Sequence, residues 1–153
     1  MELYRLCSAR HQTTAFTGIG ASIAGGRWNS RGVSVVYAAE SLSLAALECL
    51  VHFSAQTLPD DYISFALTVP PRVSIERISL ESLPNNWAAE DSPVFTRELG
   101  DEWIRQDQSL VLQVPSAIIP SECNYLINPQ HAEFSLLQIA SPVPFKFDPR
   151  LKA

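Results

Sequence analysis

Eleven prolines interrupt the chain, and they limit how long any regular element can be. Proline lacks the backbone N–H that helices and central strands require, so it ends or displaces both. The apolar stretches are accordingly short, and many are rich in residues that favour strands. With 46% hydrophobic and 18% charged residues, the composition indicates an ordered, loop-rich globular protein. A length of 153 residues predicts one domain over residues 1–153.

The apolar pattern predicts many strands and two helices. Strands are expected at residues 2–7, 34–38, 62–69, 72–78, 110–114, 124–127, 134–140 and 144–148. Residues 8–32 are polar and glycine-bearing, which is typical of a long functional loop. Helices are expected at residues 41–53, with Ser41 as N-cap, and at residues 96–106, as an exposed acidic helix weakened by Gly100. Together these elements predict an α+β fold around a bent, mostly antiparallel sheet.

The charge of the chain argues against one class of partner. A net charge of -5 and a pI near 5.1 disfavour broad binding to a nucleic-acid backbone, which depends on many Lys and Arg side chains. The charge is also uneven: residues 1–39 contain four arginines and one carboxylate, whereas residues 90–107 contain six carboxylates and two arginines. We therefore expect no direct nucleic-acid binding, and a small anion bound near the N-terminal arginines.

Two further features concern the compartment. No apolar run approaches the roughly 18 to 20 residues of a membrane helix, and the N-terminal segment MELYRLCSARHQ contains no apolar leader, so we expect a soluble cytoplasmic protein without membrane contact. The three cysteines, Cys7, Cys49 and Cys123, are far apart and have apolar neighbours. This pattern predicts reduced, buried thiols and neither disulfides nor a metal site.

Residues 25–32, GGRWNSRG, place two arginines four residues apart in a turn that begins with two glycines. A guanidinium binds phosphate oxygens with two parallel hydrogen bonds, and glycine lets the backbone approach a ligand closely. The turn therefore predicts that Arg27, with Arg31 as a second contact, binds phosphate. The alternative for Arg31 is pairing with a surface carboxylate.

The predicted helix at residues 41–53 is apolar around most of its circumference and has one narrow polar stripe. Glu48 is its only carboxylate. A carboxylate in such a helix is costly unless it is paired or reaches a water-filled cavity, so Glu48 is a candidate catalytic residue. The alternative is a partly exposed Glu48 supported by His52 one helical turn later.

The run GGRWNSRGVSVVYAAESLSLAALECLVH, followed by VPSAIIPSECNYLINPQHAEF, resembles the RES-domain family of bacterial toxins. The family elements fall on Arg27 in GGRWN, Tyr37 in VVYAAE, Glu48 in ALECLVH, Ser116 in VPSA and Asn124 to His131 in NYLINPQH. The resemblance implies a fold related to ADP-ribosyltransferase toxins, consumption of NAD, and neutralisation by an antitoxin of the Xre-like helix-turn-helix class. One element departs from the family, whose usual NP-H-P ending appears here as NPQHAEF.

Cleavage of the bond between nicotinamide and ribose requires little proton transfer, because nicotinamide leaves as a neutral group while positive charge develops on the sugar. Such a site needs a cation for the pyrophosphate, an aromatic face for nicotinamide and a carboxylate for the ribose. We expect Arg27 and Arg31 to bind phosphate, Tyr37 to stack on the ring and Glu48 to stabilise the developing charge. Substrate hydrogen bonds are expected from Ser116 and Asn124. The alternatives are a core position for Tyr37, a turn cap for Ser116 and structural roles for Asn124 and His131.

The sequence contains neither a Gly-rich dinucleotide fingerprint nor a phosphate-binding GxxxxGK loop, so NAD is expected as a substrate and not as a redox cofactor. No metal is expected either. The resulting hypothesis is a toxin that degrades NAD as a glycohydrolase or phosphorylase. Two alternatives remain open at this point, namely transfer of ADP-ribose to a protein and a non-catalytic nucleotide-binding module.

Overall fold

The structure, a computed structural model, describes residues 1–54, 58–91 and 94–152. The described residues form one sheet whose strands in chain order are β1 (Glu2–Ser8), β2 (Val36–Ala39), β3 (Tyr62–Thr68), β4 (Ile75–Arg77), β5 (Val111–Pro115), β6 (Cys123–Ile127), β7 (Gln138–Ile139) and β8 (Val143–Phe145). The α-helices are α1 (Ile19–Ala24), α2 (Leu42–Leu50) and α3 (Val94–Gln106). Short 3-10 helices lie at Ala9–Thr14, Leu80–Ser82, Ala132–Leu136 and Pro149–Lys152.

The sheet has the order β4-β5-β6-β2-β1-β3-β7, and β8 also pairs with β3. Each pairing is antiparallel except that of β4 with β5. The predicted α+β class with a curled, mostly antiparallel sheet is therefore confirmed. Within the described part of the chain, no helix combines the length and the apolar character that crossing a bilayer requires.

The sheet is weakly paired between β1 and β2. Strand β1 pairs with β3 along its whole length, but it pairs with β2 only where Tyr4 faces Ala39. Beyond that point the Arg5 guanidinium donates to the carbonyl oxygen of Tyr37 at 2.8 Å and so bridges the two strands. Burial lowers the pKa of Arg5, and its Nε atom is buried without a hydrogen-bond partner among the described residues. A side chain thus replaces backbone pairing beside Tyr37.

Helix α2 follows β2 and packs on one face of the sheet. The Ser41 hydroxyl accepts a hydrogen bond from the backbone N–H of Leu44 at 3.1 Å, which confirms the predicted N-cap. Leu44 and Leu50 are buried against Leu6 of β1. The helix ends at Leu50 and not at residue 53, because the chain turns there.

Helix α3 confirms the second predicted helix, which begins two residues earlier than expected. Contrary to the prediction of an exposed helix, Gly100 is buried, because α3 packs against the backbone of Trp28. Trp103 is also buried, and its indole N–H donates to the Ser109 hydroxyl at 2.9 Å. Alternation of polar and apolar residues does not reveal the packing of Gly100 on Trp28, because these two residues are more than 70 positions apart in the chain.

Three sequence predictions require correction. Residues 8–32 are not one loop: they contain a 3-10 helix and α1, which lies between Gly18 (φ 71°) and Gly25 (φ 72°). The strand expected at residues 72–78 is reduced to β4, whose neighbour β5 is parallel. The strand expected at residues 134–140 is mostly a 3-10 helix followed by β7. Short apolar runs do not distinguish these conformations, because tertiary pairing decides between them.

Candidate active site

The Glu48 carboxylate is the centre of the candidate site. Its Oε1 atom accepts a hydrogen bond from the Ser116 hydroxyl at 2.8 Å and another from the Asn124 side-chain amide. Both donors approach the same oxygen, and no described residue donates to Oε2. His52, the partner in the alternative interpretation, is exposed, whereas Glu48 is half-buried. The carboxylate is therefore oriented by two uncharged donors that share one of its oxygens.

Two neighbouring strands supply these donors. Ser116 directly follows β5 and is fully buried, and its hydroxyl also accepts from the backbone N–H groups of Ile118 and Ile119 at 3.1 and 3.0 Å. Asn124 lies on β6, where its backbone pairs with Ala39 of β2. Because β5 and β6 pair with each other, both side chains reach α2 from adjacent positions of one sheet.

Arg27 lies between α1 and β2, in a turn of residues 25–32 that we call the arginine turn. Its Nη1 atom donates to the carbonyl oxygens of Trp87 and Ala89 at 2.8 and 3.0 Å. Burial lowers the pKa of Arg27, and the negative charge of Glu48 is the strongest of the influences that oppose this shift. The guanidinium and the Glu48 carboxylate therefore interact electrostatically.

Tyr37 connects β2 to the arginine turn. Its hydroxyl donates to Oδ1 of Asn29 at 2.7 Å and accepts from the backbone N–H of Trp28 at 3.2 Å. Burial raises the pKa of Tyr37 well above its usual value, so the phenol remains protonated. A Cβ atom on Gly26 would lie only 2.7 Å from the Tyr37 hydroxyl oxygen, which explains why glycine is needed there. The hydroxyl is thus committed to the turn.

Asn29 is a site-supporting residue that the sequence reasoning missed. It is fully buried, and its side-chain amide donates to the carbonyl oxygens of Ala21, Ser30 and Val33 at 2.9 to 3.1 Å. Its backbone carbonyl also accepts from Gly26 at 2.9 Å. A buried amide is stable only when its polar atoms are satisfied, and here they hold the arginine turn together. The signal was an asparagine inside a glycine-flanked turn, where such local bonds are common.

Arg31 is not brought to Glu48. Its exposed side chain donates weakly to the carbonyl oxygen of Ala24 at 3.4 Å. It borders a cavity of about 350 Å³, which Gly25 and Arg97 also line and to which neither Arg27 nor Glu48 contributes. The structure therefore unites Arg27, Tyr37, Glu48, Ser116 and Asn124, while phosphate binding by Arg31 stays a prediction.

His131 and the three cysteines lie outside this group and have structural roles or partly buried surroundings. Nδ1 of His131 accepts from the backbone N–H of Glu133 at 3.1 Å and caps the 3-10 helix that follows. Cys7, Cys49 and Cys123 are free, as predicted, but each is only partly buried. Burial raises the pKa of Cys7, and that of Cys49 to about 11, so both remain thiols at neutral pH.

Comparison with known proteins identifies the family of the chain. Residues 2–148 match the RES domain. The chain belongs to the RES-domain family. A Yersinia enterocolitica protein named Toxin Res is 39% identical over 153 residues, which cover 99% of this chain and 100% of the relative. A Sphingobium protein named Prs ADP-ribosylating toxin is 36% identical over 143 residues, which cover 92% and 89%.

A solved structure supports the fold independently. The chain resembles a chain of the toxin–antitoxin complex MbcT–MbcA from M. tuberculosis with a TM-score of 0.77. The match covers 99% of this chain and 86% of the other, at 19% sequence identity. At that identity the likeness establishes a shared fold.

Proposed function

We propose that this RES-domain protein is the toxin of a toxin–antitoxin pair and that it destroys NAD by cleaving the bond between nicotinamide and ribose. Family membership and relatives that are named as toxins support the first part. The observation that carries the second part is the Glu48 carboxylate, held by Ser116 and Asn124 and within electrostatic range of the Arg27 guanidinium.

The reaction breaks the bond between C1' of the ribose and the pyridinium nitrogen. The electron pair of this bond leaves with nicotinamide, which becomes neutral, and C1' becomes positively charged. A carboxylate already oriented by the protein stabilises that charge without reorganising during the reaction. Glu48 has this role in the proposal, and its Oε2 atom accepts a ribose hydroxyl. Water or phosphate then attacks C1', releasing a proton and giving ADP-ribose or its phosphorylated form.

Arg27 is the proposed contact for the pyrophosphate. One of its terminal nitrogens is bound to carbonyl oxygens of Trp87 and Ala89, so the guanidinium is held in place before substrate arrives. Its remaining N–H groups can pair with phosphate oxygens. We propose that the ring of Tyr37 forms a wall of the nicotinamide pocket, since its hydroxyl is occupied by the arginine turn. Arg31 would bind phosphate only if NAD extends across the arginine turn.

A second candidate function is transfer of ADP-ribose to a protein side chain. The name of the Sphingobium relative, Prs ADP-ribosylating toxin, favours this possibility. The bond that breaks first is the same in both reactions, so the roles of Glu48 and Arg27 are unchanged. The two functions differ only in the group that attacks C1'.

The test is release of nicotinamide from NAD by purified protein. We expect stoichiometric nicotinamide together with ADP-ribose in phosphate-free buffer, or with phosphorylated ADP-ribose when phosphate is present. Nicotinamide release only upon addition of a protein acceptor, with label retained on that acceptor, would instead establish the transferase. A protein that binds NAD but releases no nicotinamide under any of these conditions is a non-catalytic module, and the enzymatic proposal fails.

We further propose that the partner is an antitoxin of the Xre-like helix-turn-helix class that covers the cleft containing Arg27 and Glu48. An enzyme that depletes cytoplasmic NAD would stop its own host, so an inhibitor is required. The solved toxin–antitoxin complex of the same fold supports a protein partner.

A further inference from the structure

We propose that Gly100 and Asp101 of α3 are positioning residues that hold the arginine turn in place and so set the affinity of Arg27 for the phosphates of NAD. The inference rests on the proposed function. It concerns a helix that carries none of the candidate substrate-contacting residues, yet touches the arginine turn through backbone atoms on both sides of Asn29.

The first contact is the packing of Gly100 on Trp28. A Cβ atom added to Gly100 would lie 1.8 Å from the Trp28 carbonyl oxygen and 2.8 Å from its carbonyl carbon. Backbone atoms cannot move aside as a flexible side chain can, so any larger residue at position 100 must displace either α3 or the turn. Trp28 is the direct neighbour of Arg27, and a displacement there is transmitted to the guanidinium.

The second contact is a hydrogen bond from the turn to α3. The backbone N–H of Ser30 donates to Oδ1 of Asp101 at 2.9 Å. A carboxylate acceptor makes such a bond stronger than one between neutral groups. Trp28 and Ser30 thus contact consecutive residues of α3. Asn29 lies between them, and its side-chain amide donates to backbone carbonyl oxygens in and beside the turn. The arginine turn is therefore fixed both by its own Asn29 and by α3.

The same unit includes the other anchor of Arg27. The Trp28 and Trp87 rings pack with centroids 6.1 Å apart, and the Trp87 carbonyl oxygen accepts a hydrogen bond from Arg27. Trp28, Trp87 and Trp103 of α3 belong to one buried cluster. The orientation of Arg27 therefore depends on α3 through both the turn and the segment that its guanidinium binds.

This arrangement predicts which kinetic constant changes. A phosphate contact is made equally in the bound substrate and in the transition state, so its loss raises KM and leaves kcat nearly unchanged. The Glu48 carboxylate keeps its bonds to Ser116 and Asn124, which do not involve α3. A purely structural role would instead reduce the fraction of active enzyme, which lowers the apparent kcat at constant KM.

The experiment compares Asp101→Ala and Asp101→Asn with Glu98→Ala, an exposed position on the same helix where an equal charge is lost. We expect Asp101→Ala to raise the KM for NAD about tenfold with kcat within roughly twofold of the parent. Asp101→Asn should restore KM, because an amide oxygen can also accept from Ser30. Equal KM values for Asp101→Ala and Glu98→Ala, or a fall in kcat alone, would overturn the proposal.

A binding measurement separates this inference from the proposed reaction. Calorimetric titration with ADP-ribose reports the phosphate contact without turnover, and we expect about tenfold weaker binding by Asp101→Ala than by Glu98→Ala. If the parent releases no nicotinamide but binds ADP-ribose with this difference, the reaction is wrong and the positioning role stands. If the parent binds ADP-ribose and the two variants match, the positioning role is wrong. Absence of ADP-ribose binding by the parent would show that Arg27 makes no phosphate contact and would overturn the positioning role, whereas nicotinamide release alone decides the reaction.

Discussion

Glu48 is oriented by two hydrogen-bond donors that are 68 and 76 positions away in the chain. The sequence singled out Glu48 because a lone carboxylate on an apolar helix requires an explanation, and helix geometry alone led to that residue. It could not identify Ser116 or Asn124 in the same way, because pairing between distant strands has no local pattern. Those two residues came from the family resemblance, and Asn29 was missed because its bonds depend on the conformation of the turn.

Ser116 provides a test of this orientation. Replacing it by alanine removes one of the two bonds to Oε1 of Glu48 and leaves the N–H groups of Ile118 and Ile119 without their acceptor. Hydrogen bonds to charged groups contribute about 1.5 to 3 kcal/mol, so we expect kcat for nicotinamide release to fall by roughly 10-fold to 100-fold. The exposed Ser121→Ala is the matched control. Equal kcat values for the two folded variants would contradict the role of Ser116.

Elements were predictable where local signals decide them. Helix α2 was recognised from its serine cap and its unbroken apolar pattern, and both features are present in the structure. The single-residue pairing of β1 with β2 was not predictable, because alternation within a strand indicates which face is buried but not how far a neighbour pairs. The close packing of Gly100 on Trp28 was equally hidden, since glycine is read from sequence as a helix-weakening residue.

The cap of α2 gives a prediction at this scale. Ser41→Ala removes the acceptor for the Leu44 N–H and should lower the free energy of unfolding by about 0.5 to 2 kcal/mol. Ser43→Ala, on an exposed position of the same helix, should leave it nearly unchanged. Urea unfolding measures both. We expect the nicotinamide-releasing activity of folded Ser41→Ala to equal that of the parent, and equal stability of the two variants would show that Ser41 is not an effective cap.

The whole molecule is acidic, yet its N-terminal part is basic. Four arginines lie within residues 1–39, and the structure distributes them differently: Arg5 is enclosed between β1 and β2, Arg27 is partly buried and bound to carbonyl oxygens, and Arg10 and Arg31 remain on the surface. A neutralising protein that covers Arg27 and the neighbouring exposed Arg31 would therefore meet cationic groups. Carboxylates on the antitoxin would complement this region and speed association at low salt.

Expression in a bacterial host tests the need for such a partner. The protein alone should arrest growth and lower cellular NAD, and co-expression with its antitoxin should restore both and yield a complex that co-purifies. The complex should release nicotinamide far more slowly than the free protein, because the cleft is covered. High-yield expression of the parent alone, with normal growth and normal NAD, would contradict the toxin proposal.

The most direct measurement for the central claim is the rate of nicotinamide release by Glu48→Gln. Glutamine keeps the shape of the side chain but removes the charge that is proposed to stabilise the ribosyl cation. Loss of such a preorganised group raises the barrier by about 3 to 4 kcal/mol, so we predict a rate roughly 100-fold to 1,000-fold below the parent at saturating NAD. Binding of NAD and the melting temperature should change little, and Glu98→Gln should retain parental turnover. Near-parental nicotinamide release by folded Glu48→Gln would contradict the account.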